Sequence, residues 1–434
     1  MRKKYLPLVA FSIYIVFTLI VAFWGPLTYI GLDAVNVIGY MFLFLVLFAV
    51  GYYLGVNGFK SRVLHDSVLV EKQIFRLLKF SILMAVFYKF QEFAVLAVTG
   101  KLNLSLANAG ENYVELYADY ERGTGGYDIG WVIGIFFYLP LLISMILGVY
   151  YYKKLPPMYR FFVISIFVFI FIVNTLGQGK QKQIGDMLVF LLSILVIKLG
   201  SDSNSTDIKK RQRTKRVYFW GLLVGLVGLF GFISILSARY AALGIDVSNI
   251  QDLSHPLIIY DIHHPVFQIF GNDIGFGIAV FSGYLAQGYL GLSLAFNEPF
   301  VWTYGIGNSY ATTILFGKVF GLPVSVEDSY PFRVGADTGW GLAKWHSVFP
   351  WLASDFTFPG VLIIFFFYAF VYGRCWREAT VYKNPLSILL FCILNLGLVF
   401  VPSNNQLLHT PESVLALFLI ACMWINTRWK YNCK

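Results

Sequence analysis

The sequence predicts an all-α polytopic membrane protein of about ten transmembrane helices, with a large external segment that holds interfacial or re-entrant helices. Three observations predict it. Hydrophobic residues fill 58% of the 434 positions and charged residues 13%, against about 45–50% and about 25% in soluble domains. Apolar runs of about 17–25 residues, enough to cross ~30 Å of hydrocarbon, recur along the chain. Lysine and arginine gather in alternate connections, as the positive-inside bias requires. The net charge of +10 then follows from topology. It does not indicate nucleic acid as a partner; the bilayer is the partner it implies.

The chain is read as one integral membrane domain, 1–434. Met1–Lys4 precede an apolar run too long for a signal peptide and lacking a small-residue cleavage site, so a retained first helix is expected at 5–24. A second follows at 36–56, then a cytosolic connection with Lys60, Arg62 and Lys72, then a third helix at 77–99. The loop 100–128 carries Glu111, Glu115, Asp119 and Glu121 and is placed outside. Helix four, 129–152, ends on Lys153 and Lys154. Helices five and six, 160–177 and 184–199, flank an external Gly-Gln-Gly-Lys-Gln-Lys-Gln turn at 177–183. The basic loop 200–216 marks the cytosol most strongly and leads into helix seven at 217–238. Three last helices are expected at 357–373, 384–401 and 411–427, the third opened by Thr410-Pro411-Glu412 as cap, first-turn proline and acid. So threaded, the cytosolic side holds 23 of the 33 lysines and arginines and both termini. The cysteines, Cys375, Cys392, Cys422 and Cys433, fall in helices or on the cytosolic side, so no disulfide framework supports the external parts.

The segment 239–355 is the large external loop. Within it Phe276–Phe296 carries no charge and would pass for a span. Helix seven leaves outward, however, and the helix at 357 enters from outside, so the run crosses twice or not at all. Its only partner for a second crossing, 310–322, is short and holds Lys318. An interfacial helix or a re-entrant hairpin fits better than a twelve-helix bundle.

Ten basic residues lie away from the cytosol: Lys79 and Lys89 in helix three, and Lys101, Arg122, Lys180, Lys182, Arg239, Lys318, Arg333 and Lys344. Cations just outside a bilayer suit an anionic ligand such as a lipid pyrophosphate, which Arg binds as a planar fork and Lys as a point charge. Equally, they are loop charges, or partners of external acids such as Asp186 and Glu298. Lys89 and Glu92, three residues apart at mid-helix, read as a structural ion pair or as a functional site. Asp261, His263 and His264 lack a third ligand motif, and no metal is expected. His255 and His264 precede prolines and mark turns. His346, nine residues before Asp355, is a general base, a substrate hydrogen-bonder or an interfacial residue. Asn404, Asn405 and His409 sit in a short external turn and could line the same cavity. Phosphate-loop, Asp-x-Asp, His-Glu-x-x-His and nucleophile-elbow motifs are absent, so a nucleotide-fuelled enzyme is not expected.

Four stretches complete the pattern: Arg239-Tyr240 at a helix exit, Ser282–Ala295, Trp302–Ser309 and Trp345–Gly360. In these, and in overall architecture, the chain resembles the bacterial O-antigen polymerases, which join oligosaccharide repeat units. The resemblance implies a membrane-embedded glycosyltransferase of the inner membrane, working at the periplasmic face without cofactor or metal. Its donor and acceptor would be undecaprenyl-pyrophosphate-linked oligosaccharides, and a chain-length regulator protein would be a further partner. It implies leaving-group stabilisation by Arg239 with Lys180, Lys182 and Arg333, and acceptor orientation or deprotonation by His346 or Asp355, with Asn404 and His409 binding substrate. Members often carry a glycine–basic–glycine turn where this chain has Gly177–Gln183, so Lys180 and Lys182 would replace an arginine. A lipid-linked O-antigen ligase would share fold and chemistry. A flippase or exporter, from a different class, would instead spread charges through many helices.

Overall fold

The computed structural model describes residues 3–58, 67–100, 129–180, 182–201, 208–313, 316, 321–322, 325–342 and 344–432. The loop expected at 101–128, and with it Lys101 and Arg122, lies outside these residues, as do Lys318 and Cys433. In chain order the main elements are α1 (Leu6–Trp24), β1 (Leu27–Tyr29), α2 (Ala34–Asn57), α3 (Ser67–Val98), α4 (Ile129–Tyr150) and α5 (Pro157–Ile170). The last runs directly into a π-helical turn, Phe171–Gly177. Then come α6 (Lys182–Ser201), α7 (Ile208–Ala242), β2 (Ile258–Tyr260), α8 (Pro265–Ala286), α9 (Gly288–Ala295) and α10 (Tyr330–Thr338). The chain closes with α11 (Val348–Arg377), α12 (Pro385–Phe400) and α13 (Pro411–Asn432).

The protein is all-α apart from one two-stranded sheet, and among the described residues nine helices are long and apolar enough to cross a membrane. It is a multi-pass membrane protein. Eight of the ten expected helices are among the nine, and the last two are shorter apolar helices, Pro385–Phe400 and Pro411–Thr427. Three boundaries differ from expectation, the first being α3, which begins at Ser67 and not at 77. The basic run is helical from Ile208 onward, because Lys, Arg and Gln are good helix formers and extend α7 backwards. The helix expected at 357 begins at Val348, with Thr357 at φ 60° as a break inside it. The break has a local cause: Pro359 lacks an N–H and disfavours helical geometry at Phe358, so Thr357 serves as cap to a restarted helix.

The chain divides into two compact units. Unit 1 comprises Met1–Gly58, Ile245–Arg377 and Leu394–Val414. Its spine is α2 against α11, running parallel: Tyr40 meets Phe358, Gly51 meets Phe366 and Gly55 meets Phe370. A Cβ on Gly51 or Gly55 would fall 2.2 Å or 2.1 Å from those two carbonyl oxygens. Small residues one turn apart thus let the backbones touch, as apolar helices in lipid require. Phe44 packs edge-on to Phe349 and Phe365 beside this seam.

The remaining candidate span, Pro265–Ala295, behaves differently from the others. The His264 ring at its start lies 3.3 Å from the Trp24 carbonyl, and Ser293 near its end donates to the Gly31 carbonyl at 3.0 Å. A straight helix from one residue to the other would rise about 44 Å. Trp24 and Gly31, seven residues apart, stand at most about 25 Å from each other. The segment therefore returns to the end of unit 1 from which it starts, breaking at Gly271 (φ 75°). The antiparallel pairing of β1 with β2 ties the same α1–α2 connection to the chain just before it.

Unit 2 comprises Phe59–Gly244, Glu378–Ile393 and Leu415–Lys434. It is built on α3 packed against α4 and α5, with α6 between α4 and α7. A buried polar chain runs from Trp424 Nε1 to Ser387 Oγ (2.9 Å) and from Ser387 to Glu378 (2.7 Å), giving each a partner away from water.

The seam of unit 1 predicts that Gly55→Val lowers stability by about 1–3 kcal/mol through overpacking against the Phe370 carbonyl. Gly39→Ala, with nothing within 4 Å of its new Cβ, is expected to be neutral or slightly stabilising. Melting temperatures of the two variants in detergent check the pair.

Candidate functional site

Residues 303–309 of unit 1 are organised by Asp355. Its carboxylate is 7% exposed and accepts four hydrogen bonds. Oδ1 takes Thr303 Oγ1 at 2.5 Å and Gly305 N at 2.8 Å; Oδ2 takes Asn308 N at 2.8 Å and Asn308 Nδ2 at 2.7 Å. These donors hold residues 303–308 in a fixed loop, and Tyr304 is forced to φ 56° within it. The strain presents Trp302 and Tyr304 outward, their rings 4.9 Å apart and both exposed. The same loop grips the turn that follows α12. Asn405 Nδ2 donates to the Asn308 carbonyl at 2.6 Å, and Ser309 donates to the Leu408 carbonyl. Asn404 caps its neighbour, accepting from Asn405 N at 2.7 Å, and His409 stacks on Tyr310. With all its acceptor directions taken, Asp355 is a positioning group and not a free base.

His346 is equally committed. It is 1% exposed, with Nε2 lying 3.0 Å and 3.3 Å from the Trp340 and Gly341 carbonyls. Both partners only accept, so Nε2 carries the proton and Nδ1 is the bare nitrogen. Nδ1 has no partner and faces Gly291, where a Cβ would come within 2.6 Å. Burial pulls the imidazole down to about 4, against the two carbonyl bonds that favour its charged form. Neutral and enclosed at ordinary pH, His346 locks the 340–347 connection onto α9.

Arg333, on α10, joins a different set. Nη1 lies 3.5 Å from Glu298 Oε2, Nε donates to the Asp328 carbonyl at 3.2 Å, and the guanidinium sits 4.8 Å over the Tyr330 ring. Nη2 is buried without a partner, a donor still to be used. Burial raises the Glu298 carboxyl, the charge and hydrogen bond of Asp337 add to this, and Arg333 opposes it. The pairing of an external cation with Glu298 is thus present at Arg333.

Unit 2 holds the other predicted residues. Lys89 is 5% exposed and bonds Glu92 at 2.6 Å. Lys180 stands close enough to feel Glu92, Lys182 and Lys89; burial lowers its ammonium, Glu92 opposes this, and the two lysines add to it. The chain reaches this place through the π-turn, a geometry frequent at functional sites. Lys180 N donates to the Asn174 carbonyl at 2.8 Å, and Gly179 turns the chain at φ 63°. Lys182 opens α6 and is exposed. Arg239 lies in the last turn of α7 with its guanidinium 5.7 Å over Tyr240. The structure thus gathers Lys89, Glu92, Lys180 and Lys182. Arg239, Lys180 and Lys182 belong to unit 2, whereas Arg333, His346, Asp355, Asn404 and His409 belong to unit 1.

Sequence reasoning missed Asn174 and Gln183 of unit 2, and named Asp186 only as a partner for cations. Asn174 Oδ1, Gln183 Oε1 and Asp186 Oδ1 are buried without a hydrogen-bond partner; each such atom typically costs about 1–3 kcal/mol. The one sequence signal was a lone Asn in the apolar run of helix five. No group of three or more His, Cys, Asp or Glu side chains that could hold a metal occurs among the described residues. Compared with protein-family models, curated proteins and solved structures, the chain matches none.

Two outcomes are expected. Asp355→Ala strands the Gly305 and Asn308 backbone N–H groups, while Thr303 Oγ1 and Asn308 Nδ2 keep the Ser354 and Gly305 carbonyls; it should destabilise the protein by about 2–4 kcal/mol, with Asp355→Asn intermediate, read as melting temperature in detergent. His346 titrates near 4 when folded and near 6.5 when unfolded. Its contribution is complete above about pH 6.5 and is lost as pH falls toward about 4, by about 3 kcal/mol in all. Melting of His346→Gln should therefore be flatter across this window than that of the parent.

Proposed function

We propose that the chain is an O-antigen polymerase, a metal-independent glycosyltransferase of the bacterial inner membrane. It joins undecaprenyl-pyrophosphate-linked oligosaccharide units at the periplasmic face. One observation carries the reading: unit 2 brings Lys180 within electrostatic reach of Glu92, Lys89 and Lys182, with Lys89 and Lys180 largely desolvated and Lys182 exposed. Charges that cost this much to bury in a membrane protein are by default functional, and excess ammonium suits a polyanionic leaving group.

In the proposed reaction a hydroxyl of the acceptor sugar attacks the anomeric carbon of the donor. The bond from that carbon to the pyrophosphate oxygen breaks, and the electron pair leaves with the lipid pyrophosphate. Lys180 and Lys182, with Arg239 at the end of α7, stabilise the charge gathering there. The hydroxyl proton passes to the departing pyrophosphate. This leaves His346 and Asp355 with orienting work in unit 1, in keeping with their saturated contacts, while Asn404 and His409 belong to the turn that Asp355 secures. Arg333 is engaged by Glu298 and the Asp328 carbonyl in unit 1, and the exposed Trp302–Tyr304 pair suits stacking on a sugar face. The return of Pro265–Ala295 to its starting side supports an interfacial or re-entrant segment within unit 1.

Surface polysaccharide from a strain lacking the protein tests the reading. Deletion should leave lipid A core bearing single repeat units, and the restored gene should return the ladder. Bare core with long polymer held on the lipid carrier would point to a ligase, and absence of lipid-linked units from the outer leaflet to a flippase. Within a complementing strain, Lys180→Met/Lys182→Met and Arg239→Ala, each expressed at the normal level, should cut polymer at least about tenfold. Polymer of ordinary amount and length would remove these residues from the reaction.

A further inference from the structure

Beside the lysines of unit 2 in the chain, three buried side-chain oxygens accept no hydrogen bond, and the charge of Lys182 reaches one of them, Asp186. Asn174 and Asp186 are 6% and 8% exposed, Gln183 is half-buried, and each has a side-chain oxygen without a partner. They occupy one stretch of chain. Asn174 lies in the π-turn and its carbonyl holds Lys180 N at 2.8 Å; Thr175 Oγ1 donates to the Lys180 carbonyl at 3.4 Å. Gln183 and Asp186 are three residues apart on α6 and share a face, with Lys182 one turn before Asp186. Buried polar atoms in proteins are nearly always bonded, so several unmet acceptors together indicate a ligand that brings donors.

The combination narrows the ligand class. A bare phosphate would set its own acceptor oxygens against Asn174, Gln183 and Asp186. A metal cation would meet three ammoniums. A molecule that joins a phosphate to a polyol satisfies both sets at once. We propose that this cluster recognises a sugar attached to a phosphate: phosphate oxygens on Lys180 and Lys182, sugar hydroxyls donating to Asn174, Gln183 and Asp186. It rests on the polymerase reading and deepens it, because it gives the sugar next to the pyrophosphate its own recognition set, separate from the lysines.

The test uses the full chain in lipid nanodiscs with two kinds of probe. One is farnesyl pyrophosphate; the other is the same lipid pyrophosphate bearing glucose, galactose or N-acetylglucosamine. The parent protein should bind at least one glycosylated probe about tenfold or more tighter than the bare one. Asn174→Leu and Asp186→Leu should erase that preference and leave affinity for farnesyl pyrophosphate unchanged, while Lys182→Met should weaken both kinds. Asn174→Leu should also raise the melting temperature, because it removes an unmet polar group. Should a buried variant fail to fold, Gln183→Met at the half-buried position carries the same comparison. Equal binding of bare and glycosylated probes by the parent, or full preference retained in the variants, overturns the sugar assignment alone. Binding of neither kind overturns the pyrophosphate reading beneath it as well.

Discussion

One carboxylate holds the 303–309 loop of unit 1 together. An irregular loop lacks the hydrogen-bond ladder of a helix or strand, so its buried backbone groups need partners from elsewhere in the protein. Asp355 does this for residues 303–308 with four hydrogen bonds, and through Asn308 and Ser309 the order passes on to the turn after α12. The positive φ of Tyr304 survives only because that network over-determines it. His346 does comparable work on the other side of the segment, where Gly291 is the one residue type small enough to lie against its ring.

The contrast with unit 2 gives the functional reading its weight. In unit 1 the conspicuous ionisable side chains, Asp355 and His346, are bound into the scaffold. In unit 2 a buried lysine and a half-buried one crowd a single glutamate, and three neighbouring oxygens stay unmet. Desolvation penalises such an arrangement, and packing alone would not select it. A ligand with negative charge and hydroxyl groups supplies what the cluster lacks.

Much of the fold was legible in the sequence. Apolar run length placed most helices within a few residues, because the bilayer sets that length, while α3, α7 and α11 start nine or ten residues earlier than expected. The ion pair of Lys89 and Glu92 was legible too, since a spacing of three puts both on one helix face. The β1–β2 pairing was not, because it joins short segments more than 200 residues apart with no turn between them. Nor was the role of Asp355: its partners lie about 50 residues upstream, and a carboxylate ahead of a helix looks the same in sequence whether free or saturated. His346 invited a catalytic reading for the same reason, and only its enclosure beneath α9 shows otherwise. The division into two units has no marker in the apolar pattern. Asn174 and Gln183 could not be singled out, and Asp186 only as a partner for cations, because being unpartnered is a property of the surroundings and not of the residue.

The central claim is that unit 2 binds a lipid pyrophosphate bearing a glycan. Native mass spectrometry of the protein, purified gently from cells making the lipid-linked units, measures this directly. The account predicts an adduct with the mass of an undecaprenyl pyrophosphate carrying at least one repeat unit, lost when Lys180 and Lys182 are both replaced by Met. A parent protein that carries no such lipid, or an adduct that persists without the two lysines, would contradict it.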